Sequence, residues 1–178
     1  MGPPRGPSQA AAALVSGRYR KALMFVDNAG ADLVLGMVPL ARELVRRGAS
    51  VALCCNTLPS INDVTAEEVA ALLPELARAD SVIDEAVRSG RLSVVSDGSD
   101  LPVIDLRRGS RALAEAATGA DLVVLEGMGR AIETNLRAAF TVDSLKVGMI
   151  KHPEVAQSLG GRLYDCVCKF DSVTATRD

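Results

Sequence analysis

Apolar residues recur along this chain in two rhythms, and the alternation between them predicts the fold. Short continuous runs at 21–26, 50–55, 91–96, 121–125 and 145–150 read as strands, unbroken in the way of strands covered on both faces. Between them the spacing becomes helical. Residues 31–47 place Leu33, Met37, Leu40, Ala41, Leu44 and Val45 on one side and Arg42, Glu43, Arg46 and Arg47 on the other. Pro39 sets the start of the helix proper near Val38, and Gly48 closes it. Thr65 and Glu68 form a capping box for the next helix, and Asp80 or Ser81 caps a shorter one ending near Gly90. Helices are also predicted over 107–118, 131–140 and 154–159, with a polar loop at 97–105 and a final strand over 162–170. This alternation predicts an α/β fold, a three-layer α/β/α arrangement on a doubly wound, mostly parallel, Rossmann-like sheet in a single domain. Residues 1–18 read as a flexible leader, 19–170 as the α/β domain and 171–178 as a polar tail.

In such a sheet, side chains just beyond the carboxyl ends of adjacent strands converge on one crevice. The first strand ends on Asp27-Asn28, and the second leads to Asn56 and then to Asn62-Asp63. Asp27, Asn28 and Asp63 would meet there as oxygen donors, which is the ligand chemistry of a hard divalent cation. The fourth strand ends on Glu126-Gly127-Met128-Gly129-Arg130 and the fifth on Lys151. Arg130 and Lys151 add positive charge, while Gly127 and Gly129 allow the backbone close to an anion ahead of a helix N-terminus. A cation, two basic side chains and a glycine-rich turn suit a phosphate ester, whose developing charge must be neutralised. Ile132 stands where a dinucleotide-binding turn would have its third glycine, so NAD is not expected. Asp32, Asp97 and Asp105 read as loop or cap residues, and His152, ahead of a proline, as structural.

Composition narrows the class. The chain has 178 residues, enough for one domain with a sizeable core, and is 48% hydrophobic with 24% charged residues. A net charge of −2 gives no electrostatic footprint for nucleic acid or an anionic membrane. No apolar run reaches the ~18 residues of a membrane helix. Cys54-Cys55 and Cys166-x-Cys168 lack zinc-knuckle or redox spacing and read as buried thiols of a reducing, cytoplasmic compartment. The single histidine excludes a zinc site built on several imidazoles.

Five segments together carry a family resemblance: F-V-D-N-A-G-A-D, N-T-L-P-S-I-N-D-V-T, L-E-G-M-G-R-A, L-K-V-G-M-I-K and L-G-G-R-L-Y-D-C-V. They resemble the damage-control metal-dependent phosphatases, formerly a family of unknown function. The nearest branch is that of the stand-alone plant proteins and the phosphatase region fused to pantothenate-kinase-like proteins. The resemblance spans residues 19–170 and implies metal ligands at Asp27, Asn28 and Asp63. It implies substrate contacts at the turn Glu126, Gly127, Met128, Gly129 and Arg130, and at Lys151; with the strand-end residues Asn56 and Asn62 these are the candidate substrate contacts, and Asp27, Asp63 and Lys151 the candidate catalytic residues. The implied reaction is hydrolysis of small phosphorylated metabolites, 4'-phosphopantetheine and its oxidised or sulfonated forms, using manganese, cobalt, nickel or magnesium. The nucleophile is either a water or Asp27 itself. Family members usually carry a helical region ahead of the F-V-D-N strand. This chain has only a short leader there, so an N-terminal helical or kinase-like region is expected to be missing from it. Two rival readings share the fold. One is a non-catalytic module for a nucleotide or coenzyme A, or a regulatory remnant without the helical lid. The other is a phosphotransferase.

Overall fold

The computed structural model describes residues 6–173. Six strands form one sheet: β1 Lys21–Phe25, β2 Ser50–Cys55, β3 Leu92–Ser96, β4 Leu122–Glu126, β5 Asp143–Met149 and β6 Cys166–Asp171. Their order is β3-β2-β1-β4-β5-β6, with β1 to β5 parallel and β6 antiparallel at the edge. Period-two alternation divides the strand residues between two apolar layers. Ala22, Met24, Val51, Leu53, Leu122 and Val124 face one layer, while Leu23, Phe25, Ala52, Cys54, Val123 and Leu125 face the other. The first layer is closed by α1 Pro7–Val15, α2 Val38–Arg46, α3 Ala66–Ala79 and α4 Ser81–Arg88, the second mainly by α5 Arg111–Ala117. A further helix, α6 Pro153–Leu159, buries Ala156 against Ile132 and Ile150. The architecture is the expected Rossmann-like one. Its strand order reverses between β1 and β4, so the crevice beyond those two strands is the favoured ligand position of the fold.

The local chemistry of the helices follows their sequences. Thr65 Oγ1 accepts from the Glu68 amide (3.2 Å) and Glu68 Oε2 from the Thr65 amide (2.8 Å), completing the capping box of α3. Asp80 Oδ1 accepts from the amides of Val82 and Ile83 and starts α4.

Four elements differ from the sequence expectation. Residues 7–15, assigned to a flexible leader, form α1, with Ala10 and Ala13 packed into the first layer; residues 1–5 lie outside the described part. The helix expected over 107–118 is divided into a 3-10 turn, Leu106–Arg108, and α5, because Ser110 Oγ accepts from the Leu113 amide and starts a new helix. The helix expected over 131–140 is a π-helical turn, Met128–Glu133, and another π-helical turn, Asp32–Met37, leads into α2. These wide turns follow the two strands that flank the crevice, and π-helical turns are frequent at functional sites. Finally, the last strand begins at Cys166 and includes Asp171, which ion-pairs with Lys146 (3.1 Å), so it is not part of a tail; residues 174–178 lie outside the described part. Cys54 and Cys55 are buried as expected, but Cys166 is exposed on the edge strand. Among the described residues no helix is long and apolar enough to cross a membrane.

Candidate metal centre

Backbone bonding brings the separated polar residues together. Beyond β1, Val26 still donates to the Cys54 carbonyl (3.1 Å), and the chain then leaves the sheet at Asp27. The loop after β2 turns back on itself, with Asn56 donating to the Val64 carbonyl (3.2 Å) and Ala66 to that of Asn56 (2.9 Å). It is sewn to the β1 loop as well: Val64 donates to Asp27 (2.8 Å) and Ala29 to Asn62 (2.9 Å), around an antiparallel bridge of Asn28 with Asp63. In the same loop Asp63 donates to the Ser60 carbonyl (2.9 Å), and Ile61 within that turn has a φ of 53°, costly for a β-branched residue. Asp27, Asn28 and Asp63 are thereby adjacent, and each is only 7% exposed.

The guanidinium of Arg130 sits among these acids. It is fully buried, and Nε donates to Asp27 Oδ1 (3.1 Å) and Nη2 to both Asp63 Oδ2 (2.9 Å) and Asn56 Oδ1 (2.5 Å). Its Nη1 donates to Asp97 Oδ2 (3.4 Å). The sequence made Arg130 a positive charge in contact with the phosphate. The structure gives it four protein acceptors instead, because three loops and the β4 turn close around it. Asp97, read as a loop residue, is the residue that sequence reasoning missed. It is buried at the end of β3, its amide donates to the Cys55 carbonyl (2.8 Å), and its Oδ1 accepts from the Ser99 amide (2.8 Å). The available signal was the one used for Asp27, an acid placed where a strand ends.

The remaining predicted residues divide by role. Glu126 Oε2 accepts from the Asp27 amide (2.7 Å) across the switch point. Gly127, at φ 107°, has its α-carbon pressed on the Asp27 carboxyl group; a Cβ there would lie 2.3 Å from Asp27 Cγ. A Cβ on Gly129 would lie 2.4 Å from the Pro102 carbonyl oxygen. Both glycines therefore admit protein groups, whereas the sequence suggested that they admit an anion. Met128 Sδ accepts from the Lys151 amide (3.1 Å), Lys151 is exposed, and its charge reaches Asp27. Asn62 is exposed and joins the site through its carbonyl. His152 is exposed and pairs with Glu154 (2.6 Å). A groove of about 640 Å³ lies along α5, but none of its lining residues belongs to this crevice.

Charge and bonding indicate what the crevice is suited to hold. Three carboxylates, Asp27, Asp63 and Asp97, surround one guanidinium, and Glu126 and Asp32 lie close by, so carboxyl groups outnumber the cationic side chains Arg130 and Lys151 here. Burial, reinforced by the charge of Asp63, pushes the Asp27 carboxyl up to about 6. Burial, with Asp27 and Asp32 nearby, pushes Glu126 up to about 7. Burial also raises Asp97. Among the described residues Asp27 Oδ2 and Asp63 Oδ1 accept no hydrogen bond, and Asn28, whose Nδ2 donates to Asp32 Oδ2 (2.6 Å), keeps Oδ1 unbonded. The only sealed, unpartnered side-chain polar atom among those residues is Ser144 Oγ, so these three oxygens are not sealed from solvent. No group of three His, Cys, Asp or Glu side chains among the described residues is arranged to hold a metal; this donor set is two carboxylates and an amide. Those hard oxygen donors, with their excess of negative charge, fit a divalent cation.

Comparison with known proteins gives the family. Residues 8–167 match the model of the damage-control phosphatase ARMT1-like domain. The chain is 56% identical over 155 residues to a damage-control phosphatase of Arabidopsis thaliana, covering 87% of this chain and 42% of that protein. It is 45% identical to pantothenate kinase 2 of Oryza sativa subsp. japonica, covering 87% of this chain and 20% of the relative. It is 33% identical to a 4'-phosphopantetheine phosphatase of Mus musculus, covering 88% and 25%. The chain thus spans less than half the length of these relatives. A crystal structure of a DUF89 family protein from Pyrococcus horikoshii shares the fold with a TM-score of 0.64 at 23% identity, covering 92% of this chain and 51% of that one. With the family model matching nearly all the described residues, the chain belongs to the damage-control phosphatase ARMT1-like domain family.

Proposed function

We propose that this crevice hydrolyses phosphate monoesters of small metabolites, and that 4'-phosphopantetheine and its oxidised or sulfonated forms are the substrates. This links the chain to coenzyme A precursors. The observation that carries the reading is the adjacency of Asp27, Asn28 and Asp63, each with one side-chain oxygen that accepts no hydrogen bond and is not sealed from solvent. The names of the plant and mouse relatives support the phosphatase chemistry, and the mouse name supports the phosphopantetheine class.

Asp27, Asn28 and Asp63 would hold manganese, cobalt, nickel or magnesium. A divalent cation bound there supplies polarisation of the phosphate and a more acidic water. Lys151, exposed at the crevice with its charge reaching Asp27, neutralises phosphoryl oxygens. The phosphoryl group passes to the oxygen of water, the ester P–O bond breaks, and the alcohol leaves carrying a proton. Glu126 and Gly127 fix Asp27, one through its amide and the other against its carboxyl group.

The test is turnover of an aryl phosphate and of 4'-phosphopantetheine by the purified chain with each of the four metals. Metal-dependent release of phosphate, abolished by a chelator, is the expected result. No release from either ester with any of the metals would overturn the proposal.

A further inference from the structure

We propose that Arg130, gripped by Asp97 and Asn56, is a positioning residue that decides which oxygens of Asp27 and Asp63 face the cation, and that it does not contact the phosphate. This rests on reading the crevice as a metal centre.

The bonding of Arg130 carries the inference. Its one Nε hydrogen goes to Asp27 Oδ1, and its Nη2 serves both Asp63 Oδ2 and Asn56 Oδ1. The side chain is fully buried and these donors are already used, so it presents no free fork to an ester. The guanidinium takes one oxygen from each ligand carboxylate and leaves Asp27 Oδ2 and Asp63 Oδ1 open. A carboxylate alone is free to rotate about its terminal bond, whereas two carboxylates held by one rigid, planar fork are locked relative to each other. Outer partners of this kind orient metal ligands and tune their affinity.

Asp97 holds the fork. It is anchored on β2 through the Cys55 carbonyl and on the start of α5, where the Ser110 amide donates to the Asp97 carbonyl (2.8 Å). Its carboxylate therefore fixes Nη1 and adds negative charge beside the proposed ligands.

The test measures manganese affinity by calorimetry on folded protein, melting without metal, and turnover across a manganese range. It compares wild type with Arg130→Lys, Asp97→Asn and Asp27→Asn. Arg130→Lys keeps the charge and loses the fork. It is expected to bind manganese about 10–100-fold more weakly, with kcat recovering at saturating manganese and KM for the ester little changed. Asp97→Asn is expected to weaken manganese binding in the same direction, by about tenfold, and serves alone if Arg130→Lys does not fold. Unchanged manganese affinity with a raised KM or an unrecoverable kcat would make Arg130 a phosphate contact and overturn the proposal. Lower melting with unchanged manganese affinity would make the cluster merely structural and also overturn it. Failure of the underlying reading looks different: wild type would not bind manganese, or Asp27→Asn would bind it as wild type does.

Discussion

The two ends of the sheet both bury aspartates, and they treat them differently. At the amino end, Asp143 at the start of β5 accepts from Tyr19 Oη (2.8 Å) and Arg18 on one oxygen and from the Val173 amide (2.8 Å) on the other. Asp121 nearby takes the amides of Arg20 (2.9 Å) and Lys21 (3.1 Å), one on each oxygen. At the carboxyl end, Asp27 and Asp63 have one bonded oxygen each. Burial does not separate the two groups, since Asp143 and Asp27 are both 7% exposed. Saturation does. A carboxylate satisfied by its own chain is a structural brace. One left half-bonded beside others of like charge keeps an oxygen able to take a cation, the role proposed here for Asp27 and Asp63.

The largest effect expected from this contrast is on catalysis. Asp27→Ala or Asp63→Ala should lower kcat/KM on an aryl phosphate by about 10²–10³-fold or more, with a circular dichroism spectrum like that of wild type. Asp143→Ala should do the reverse, costing about 1–3 kcal/mol of stability in a denaturant melt while leaving manganese affinity intact. An exchange of these outcomes would break the comparison. Gly127→Ala should impair both properties at once, because its Cβ would collide with the Asp27 carboxyl group at a φ that favours glycine. Melting and manganese titration of that variant are the check.

A smaller effect is expected from pH. Asp27 rises from its ordinary 3.8 to about 6, and Glu126 from 4.5 to about 7, so the folded chain holds those protons more tightly than the unfolded one. Their stabilisation is full below about pH 4 and is lost as pH rises through 6 and 7. The metal-free melting temperature should therefore fall between pH 5 and pH 8, and fall less with manganese present, as calorimetric scans at each pH would show.

The carboxyl-end crevice was largely legible in the chain, because a strand-end acid is a local pattern and a parallel sheet dictates where such acids go. Asp27, Asn28 and Asp63 were found that way. Asp97 follows the same rule but ends Leu92–Ser96, whose serines and partly exposed residues make a weaker apolar run. The burial of Arg130 was not legible: it depends on loops from β1, β2 and β3 meeting around one side chain, and an arginine after a glycine turn looks like a surface cation. The segment containing α1 was hidden for another reason. Its buried face consists of Ala10 and Ala13, too small to stand out from an Ala-rich leader.

Titrating manganese into the metal-free chain by calorimetry, beside Asp63→Asn, tests the central claim most directly. One site per chain, lost or strongly weakened in the variant, is the predicted result. No binding to the wild type, or equal binding to both proteins, would contradict the account.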